Sequence, residues 1–180
     1  MTIGFKLDKE NLSDFYARNI IETMTFKVGR GLLVLFVLSI IFLVWRITDD
    51  KGFRIEAIVA SLTTVIFFKI ITRKSFGYIF NKKYDDFKKS GMFDMMEIGI
   101  LEEYFYIINS IEKREISYES ISSINISENY MFIILSRKQY FIIPLDSFKT
   151  SEDKKAFREL LEEKTSLKAK YEYPDGLKYI

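Results

Sequence analysis

Two uncharged apolar stretches, separated only by residues 46–56, constrain this chain more than any other feature. Residues 31–45 read GLLVLFVLSIIFLVW and residues 57–68 read AIVASLTTVIFF. A helix crossing the hydrocarbon core of a bilayer needs roughly 20 mostly apolar residues, and about 17 at the least. The first stretch reaches that length over 28–48, with Arg30 and Arg46 extending to the interfaces. The second reaches it over 55–71, with Glu56 and Lys69 near its ends. Joined by the short polar loop 48–54, the pair predicts a transmembrane helical hairpin. The alternative is two buried helices of a soluble protein, since apolar runs of about 10 to 14 residues are often that. A chain of 180 residues has little room to hide two helices that are apolar all round, so the hairpin is preferred.

Charge then orients the hairpin. Lys6, Lys9, Arg18, Lys27 and Arg30 precede the first stretch. Lys69, Arg73, Lys74, Lys82, Lys83, Lys88 and Lys89 follow or close the second, against Arg46, Lys51 and Arg54 around the loop. Lys and Arg in short flanking segments favour the cytosolic side, which predicts a multi-pass protein of the cytoplasmic membrane with both termini inside. Lys27, Arg30, Lys69, Arg73, Lys74, Lys82 and Lys83 are the expected membrane-interface residues. Near an anionic surface each is worth about 1 kcal/mol, although such charges often only anchor the topology.

Composition removes several functions. The chain is 48% hydrophobic and 29% charged, so its charges must crowd outside the two spans. A net charge of +2 argues against a nucleic-acid partner, for which a strongly basic face is expected. With no cysteine and no histidine there is no disulfide, thiol nucleophile, Cys/His zinc site or histidine base. The first apolar stretch starts far in for a secretory signal and ends in Val44-Trp45-Arg46, without small residues for cleavage, so it is expected to stay in the mature protein.

Around the hairpin the chain divides into four further parts. Residues 1–27 hold a short alternating strand, with Ile3, Phe5 and Leu7 on one face, a turn at 8–11, and a helix over 12–27. Leu12, Phe15, Tyr16, Ile20 and Met24 give that helix an apolar stripe, suited either to the headgroup region or to packing on a soluble domain. After the hairpin unit, 28–72, residues 73–91 continue the second helix. Phe76, Phe80, Tyr84 and Phe87 recur at helical spacing, and Ser90-Gly91 is a natural stop.

Residues 92–164 change texture. Six short runs rich in β-branched and aromatic residues (96–99, 104–108, 115–118, 121–126, 130–135 and 139–144) are separated by tight-turn sequences at 109–110, 128–129 and 136–138. Such spacing predicts an antiparallel meander. A helix follows: Thr150-Ser151-Glu152-Asp153 has capping-box spacing, and Ala156, Phe157, Leu160 and Leu161 form its stripe. Several strands are apolar on both faces, so both are expected to be covered, one by the sheet's own core and the other by a neighbouring helix, another subunit or the membrane hairpin, with the chain's own N-terminal segment or a second copy preferred. Ile3, Phe5 and Leu7 would be stranded in a free tail, so the first strand is expected to join an edge of this sheet.

Strands closed by one C-terminal amphipathic helix outline a pleckstrin-homology-like domain. The run EIGILEEYFYIINSIEKREISYESISSINISENYMFIILSRKQYFIIPLDSF, 97–148, resembles the YcxB-like family, bacterial proteins with two membrane helices and a C-terminal domain of that kind. Tyr118-Glu119-Ser120-Ile121 with Ile124 occupies a family pattern of an aromatic followed by two isoleucines, with tyrosine for the usual tryptophan. Ile143-Pro144 and Phe148 match the close of a strand before the helix, while Leu145 stands where a basic residue is common. The resemblance extends to about Lys164 and leaves the tail 165–180 unexplained. It implies an α+β membrane protein: a two-helix hairpin plus an antiparallel PH-like sheet or barrel capped by a helix.

No catalytic, metal or cofactor-binding residue stands out. Asp49-Asp50, Asp85-Asp86 and Glu102-Glu103 are sequence neighbours, which on a helix or strand do not face each other. Neither a phosphate-cradling glycine loop nor a nucleophile elbow is present. Lys113, Arg114, Arg137 and Lys138 lie among Glu112, Glu115, Glu119 and Glu128, so specific phosphoinositide-style recognition by the isolated domain is not expected. The expectation is a non-enzymatic interaction module in the lipid bilayer that self-associates or binds a membrane protein partner. An alternative, by fold-level analogy, is immunity or tolerance against a bacteriocin or membrane-active toxin.

Overall fold

Strand β1 (Thr2–Lys6) belongs to a sheet whose other members all lie beyond residue 94. It pairs antiparallel with β2 (Met95–Ile100), Ile3 opposite Ile98 and Phe5 opposite Met96. Alternation explains the choice of edge: Ile3, Phe5 and Leu7 are buried while Thr2, Gly4 and Lys6 face out. The structure is a computed structural model and describes residues 1–86, 91–136 and 139–174. It divides into two compact units, residues 10–83 in one, and residues 1–9 with those from 84 onward in the other. The helical unit is thus inserted between two neighbouring strands of one sheet.

The helical unit holds α1 (Lys9–Glu22) from Glu10, α2 (Met24–Ile47) and α3 (Lys51–Asp86) up to Lys83. α2 and α3 are long and apolar enough to cross a membrane. Their outward faces are apolar: Leu35, Phe36 and Phe42 on α2, and Val59, Leu62 and Ile66 on α3, are all exposed. Phe26 and Phe68 stack at 5.7 Å between them. The connection is fastened by Arg54, which donates to the carbonyl of Trp45 at 2.9 Å, pairs with Asp49 and lies over the Trp45 ring at 4.7 Å.

α1 differs from expectation. It begins at Lys9, inside the expected turn, and ends at Glu22, while Met24 already belongs to α2. Thr23 makes the break: its hydroxyl accepts from the Phe26 N–H as the N-cap of α2, in extended geometry no helix interior tolerates. The first part of the apolar stripe is covered by protein, while Ile20 is half-buried and Met24 is exposed. Leu12, Phe15, Tyr16 and Ala17 are fully buried; Ala17 approaches Gly77, and Tyr16 meets Phe80 at 5.9 Å, both on α3. Tyr16 of the stripe, with Ala17 beside it, therefore packs on α3.

α3 has no break at residue 72. Its 36 residues span about 54 Å, well beyond the roughly 30 Å hydrocarbon core, so one rod carries both the second apolar stretch and the expected extension. Phe87 and the stop before Gly91 lie outside the described residues, as do Lys88 and Lys89. Gly91 itself takes a positive φ of 69°, a conformation that favours glycine.

The second unit contains two antiparallel sheets. One has the order β1-β2-β3-β4, with β3 (Tyr104–Ile108) and β4 (Lys113–Ser117); the other has β5 (Ser123–Ser127), β6 (Tyr130–Ser136) and β7 (Gln139–Pro144) in sequence order. Neither sheet closes. Ile98, Phe105, Ile124, Ile133 and Ile143 form the inner core, and Phe105 meets Phe141 edge-to-face at 6.0 Å across the sheets. α4 (Ser151–Thr165) adds Phe157 and Leu161, and Thr150 caps it by accepting from the Asp153 N–H at 3.0 Å. Tyr118 donates its hydroxyl to the carbonyl of Leu101 at 2.7 Å, and burial raises its phenol above the ordinary value.

Both faces of β6 are covered, and the cover is partly the C-terminal segment. After α4 the chain turns at Ser166, φ 56°, and runs along β5: Lys170 N–H donates to Ile124 and its carbonyl accepts from Ile126, at 2.9 and 2.8 Å. Tyr173 then meets Phe132 edge-to-face at 5.9 Å, and Pro174 is buried. The segment left unexplained by the family resemblance is, through residue 174, part of the domain.

Candidate functional site

The seven expected interface cations are all exposed, but they do not act as one group. Lys69 donates to Glu22 at 2.6 Å, and Lys27 stands 3.8 Å from the same carboxylate. The Lys69 ammonium holds the Glu22 carboxyl below its ordinary value, chiefly through that hydrogen bond. Arg73 grips both oxygens of Asp14 at 2.7 Å, with Arg18 at 3.2 Å from it. The Lys69–Glu22 and Arg73–Asp14 pairs join α1 to α3, Lys27–Glu22 joins α2 to α1, and Arg18–Asp14 lies within α1; being exposed, each contributes about 0 to 1 kcal/mol. Arg30, Lys74, Lys82 and Lys83 make no ion pair among the described residues. Lys82 and Lys83 lie on the part of α3 beyond its apolar stretch, so the structure separates clamp residues (Lys27, Lys69, Arg73) from uncommitted ones.

The adjacent carboxylates are occupied with structure. Asp49 pairs with Arg54 and Asp50 accepts from the Gly52 N–H at 2.8 Å, so both serve the connection of α2 and α3. Asp85 pairs with Lys9 at 2.5 Å, while the Asp86 side chain is outside the described residues. Glu102 and Glu103 are exposed in the turn between β2 and β3. No group of three or more Asp and Glu that would hold a metal ion occurs among the described residues.

What sequence reasoning missed is a cleft of about 630 Å³ lined from both sheets. Phe5, Met96, Ile107 and Ile142 form its apolar walls, and Asn109, Glu112, Arg114, Glu115 and Gln139 form its rim. The volume lies inside the roughly 300–1,000 Å³ range of small-molecule sites. Asn109 shapes the rim by accepting the Ile111 and Glu112 N–H groups, each at 2.9 Å. The rim charges are paired: Glu115 accepts from Lys113 at 2.7 Å, which raises the lysine and lowers the carboxyl. Arg114 pairs with Glu112 at 2.5 Å. β4 begins at Lys113, and pairing places Arg114 in the strand opposite Ile107. The tip of the next turn, Arg137 and Lys138, lies outside the described residues.

Residues 100–161 match the family model described as YcxB-like protein. That region is similar to the YcxB-like family. The match runs from the last residue of β2 through β7 into α4, and is narrower than the family resemblance, since it leaves out the helical unit and β1. No curated protein and no solved structure matches the chain. The YcxB-like region supplies Ile107, Arg114 and Ile142 to the cleft, while Phe5 and Met96 come from outside it.

Proposed function

We propose that this chain is a non-enzymatic interaction module anchored in the bacterial cytoplasmic membrane by a two-helix hairpin. Both termini are cytosolic, and a PH-like domain engages a protein partner or a second copy at the inner face. The observation that carries the reading is the insertion of residues 10–83 between paired strands β1 and β2. A domain bonded to the chain on both sides of its helical insert is tethered twice, which limits its reach and orientation. The outward apolar faces of α2 and α3 support a lipid surrounding, because soluble surfaces rarely expose contiguous apolar area of that extent. A four-stranded and a three-stranded meander followed by one helix supports the PH-like description. The flanking cations Arg30, Lys74, Lys82 and Lys83 favour the cytosolic side.

The chain has no cysteine, so single replacements report cleanly. In intact cells an impermeant maleimide labels Lys51→Cys and does not label Glu103→Cys; the reverse pattern overturns the orientation. In-cell crosslinking with mass spectrometry then recovers a second copy or a reproducible membrane-protein partner. Recovery of neither overturns the interaction role.

A further inference from the structure

Arg114 is a charge on an inner face. It lies opposite Ile107, which lies opposite Ile98, which lies opposite Ile3, so register places it on the side of the first sheet that buries those three isoleucines, while its own side chain stays exposed on the edge strand. An inward charge on an edge strand discourages pairing with another chain, and β4 is such an edge. Yet Arg114 also stands at the mouth of the 630 Å³ cleft, whose interior is hydrocarbon and aromatic. The guanidinium carries five donors, and among the described residues it pairs with Glu112 alone. The amides of Asn109 and Gln139 stand on the same rim.

An apolar cleft whose described lining holds one cation, already paired with Glu112, suits an amphiphile better than a polyanion. Glu112 and Glu115 oppose any multiply charged head group, whereas one carboxylate or acyl ester needs only a few hydrogen bonds there. Met92 and Met96 give the walls unbranched, adaptable side chains that conform to a linear chain. Leu7, also on the wall, lies two residues before α1 begins at Lys9. We infer that the cleft binds the hydrocarbon chain of a single-chain acyl amphiphile, with the acyl head group held at the mouth by Arg114. The chamber stands on the two sheets alone; only supply of the ligand from a bilayer rests on the proposed membrane role.

Two sources share this chemistry, a free fatty acid and a lysophospholipid. The test uses the full chain in nanodiscs with diazirine-bearing palmitic acid, and separately with diazirine-bearing lysophosphatidylglycerol, mapping labelled peptides by mass spectrometry. Label on peptides holding Phe5, Met96 and Ile142 is removed by excess unlabelled amphiphile, while label on α2 and α3 persists under the same excess. Ile107→Trp fills the chamber and loses the competed label only, and Arg114→Gln lowers labelling by palmitic acid. Competed label from one probe alone identifies the source. Absence of competed cleft label from both probes on the unsubstituted chain overturns the inference, whatever Ile107→Trp does to folding. Maleimide labelling of Lys51→Cys is independent of this result, so the membrane role and the cleft fail separately.

Discussion

α2 and α4 both start on a threonine whose hydroxyl accepts the backbone N–H three residues on, and from there they diverge. Thr23 introduces a helix that buries only Val37 and turns Leu32, Leu35, Phe36, Leu38 and Phe42 outward. Thr150 introduces one that buries Phe157 and Leu161 and turns its lysines and glutamates outward. Local rules are the same at each start; what differs is where the apolar residues go. α4 has one apolar stripe and one place to put it. α2 is apolar all round and cannot satisfy itself against the narrow line of α3 that it meets. The surface left over on α2 is the one a bilayer would cover.

The largest test of that contrast is Phe157→Ala. Phe157 is fully buried and packs edge-to-face on Phe148 at 5.4 Å, so its loss costs about 3–5 kcal/mol. Thermal unfolding of the detergent-solubilised chain reads this as a large drop in Tm, whereas Leu35→Ala on the outer face of α2 leaves Tm nearly unchanged. Equal drops would break the comparison. Next in size is Leu38→Arg, which sets a charge at the centre of the 28–48 stretch. On insertion scales it costs about 2.5–3.5 kcal/mol. A glycosylation-mapping assay reports reduced insertion of the first helix; a full yield of inserted protein would argue that α2 does not meet lipid.

The same contrast explains what was readable in the residues. Runs rich in β-branched and aromatic residues such as 104–108 and 139–144 coincide with β3 and β7, and Thr150 with Asp153 marks the start of α4, because those signals are local. The β1 partnership was legible because Ile3, Phe5 and Leu7 had no other use. Thr23 was not read as a break, since the stripe from Leu12 to Met24 passes over it without a change in polarity. Inward-facing Arg114 was not legible either: its side of the sheet depends on pairing with Ile107. The course of 167–174 along β5 rests on backbone bonds that no side-chain pattern announces.

A smaller effect probes the outer face of the first sheet. Gly99 lets the Tyr106 ring lie across the strand, and a Cβ there would stand 2.3 Å from ring carbons. Gly99→Ala therefore evicts the ring from its hydrogen bond to Glu97, 2.8 Å, and from beneath the Lys113 ammonium. The strain costs about 1–3 kcal/mol. Tyr106→Ala in the same chain removes the obstacle, so the double variant recovers part of the lost Tm. Additive losses would show that the ring is not what excludes the methyl.

The smallest expected effect concerns the C-terminal segment, which joins the domain by few contacts. Glu162, on α4, accepts the Ala169 N–H at 2.9 Å and pairs with Lys168 at 3.1 Å. These hold its carboxyl below the ordinary value of 4.5, the backbone hydrogen bond first, against the opposing effect of burial. A lowered folded value means the contribution is present above the unfolded value and is lost as pH falls through the folded one. Between neutral pH and about 5 the segment stays bonded to β5, and below that it loosens while Phe157 and the sheets remain. Hydrogen exchange at Lys170 and Ile126, whose N–H groups make the two bonds along this edge, rises on acidification ahead of exchange in β6. Glu162→Gln keeps an acceptor for Ala169 and should cost about 1 kcal/mol at most, but it removes the early rise from the pH profile. Glu162→Ala frees both amides already at neutral pH. An unchanged profile in Glu162→Gln would mean that another carboxylate governs the release.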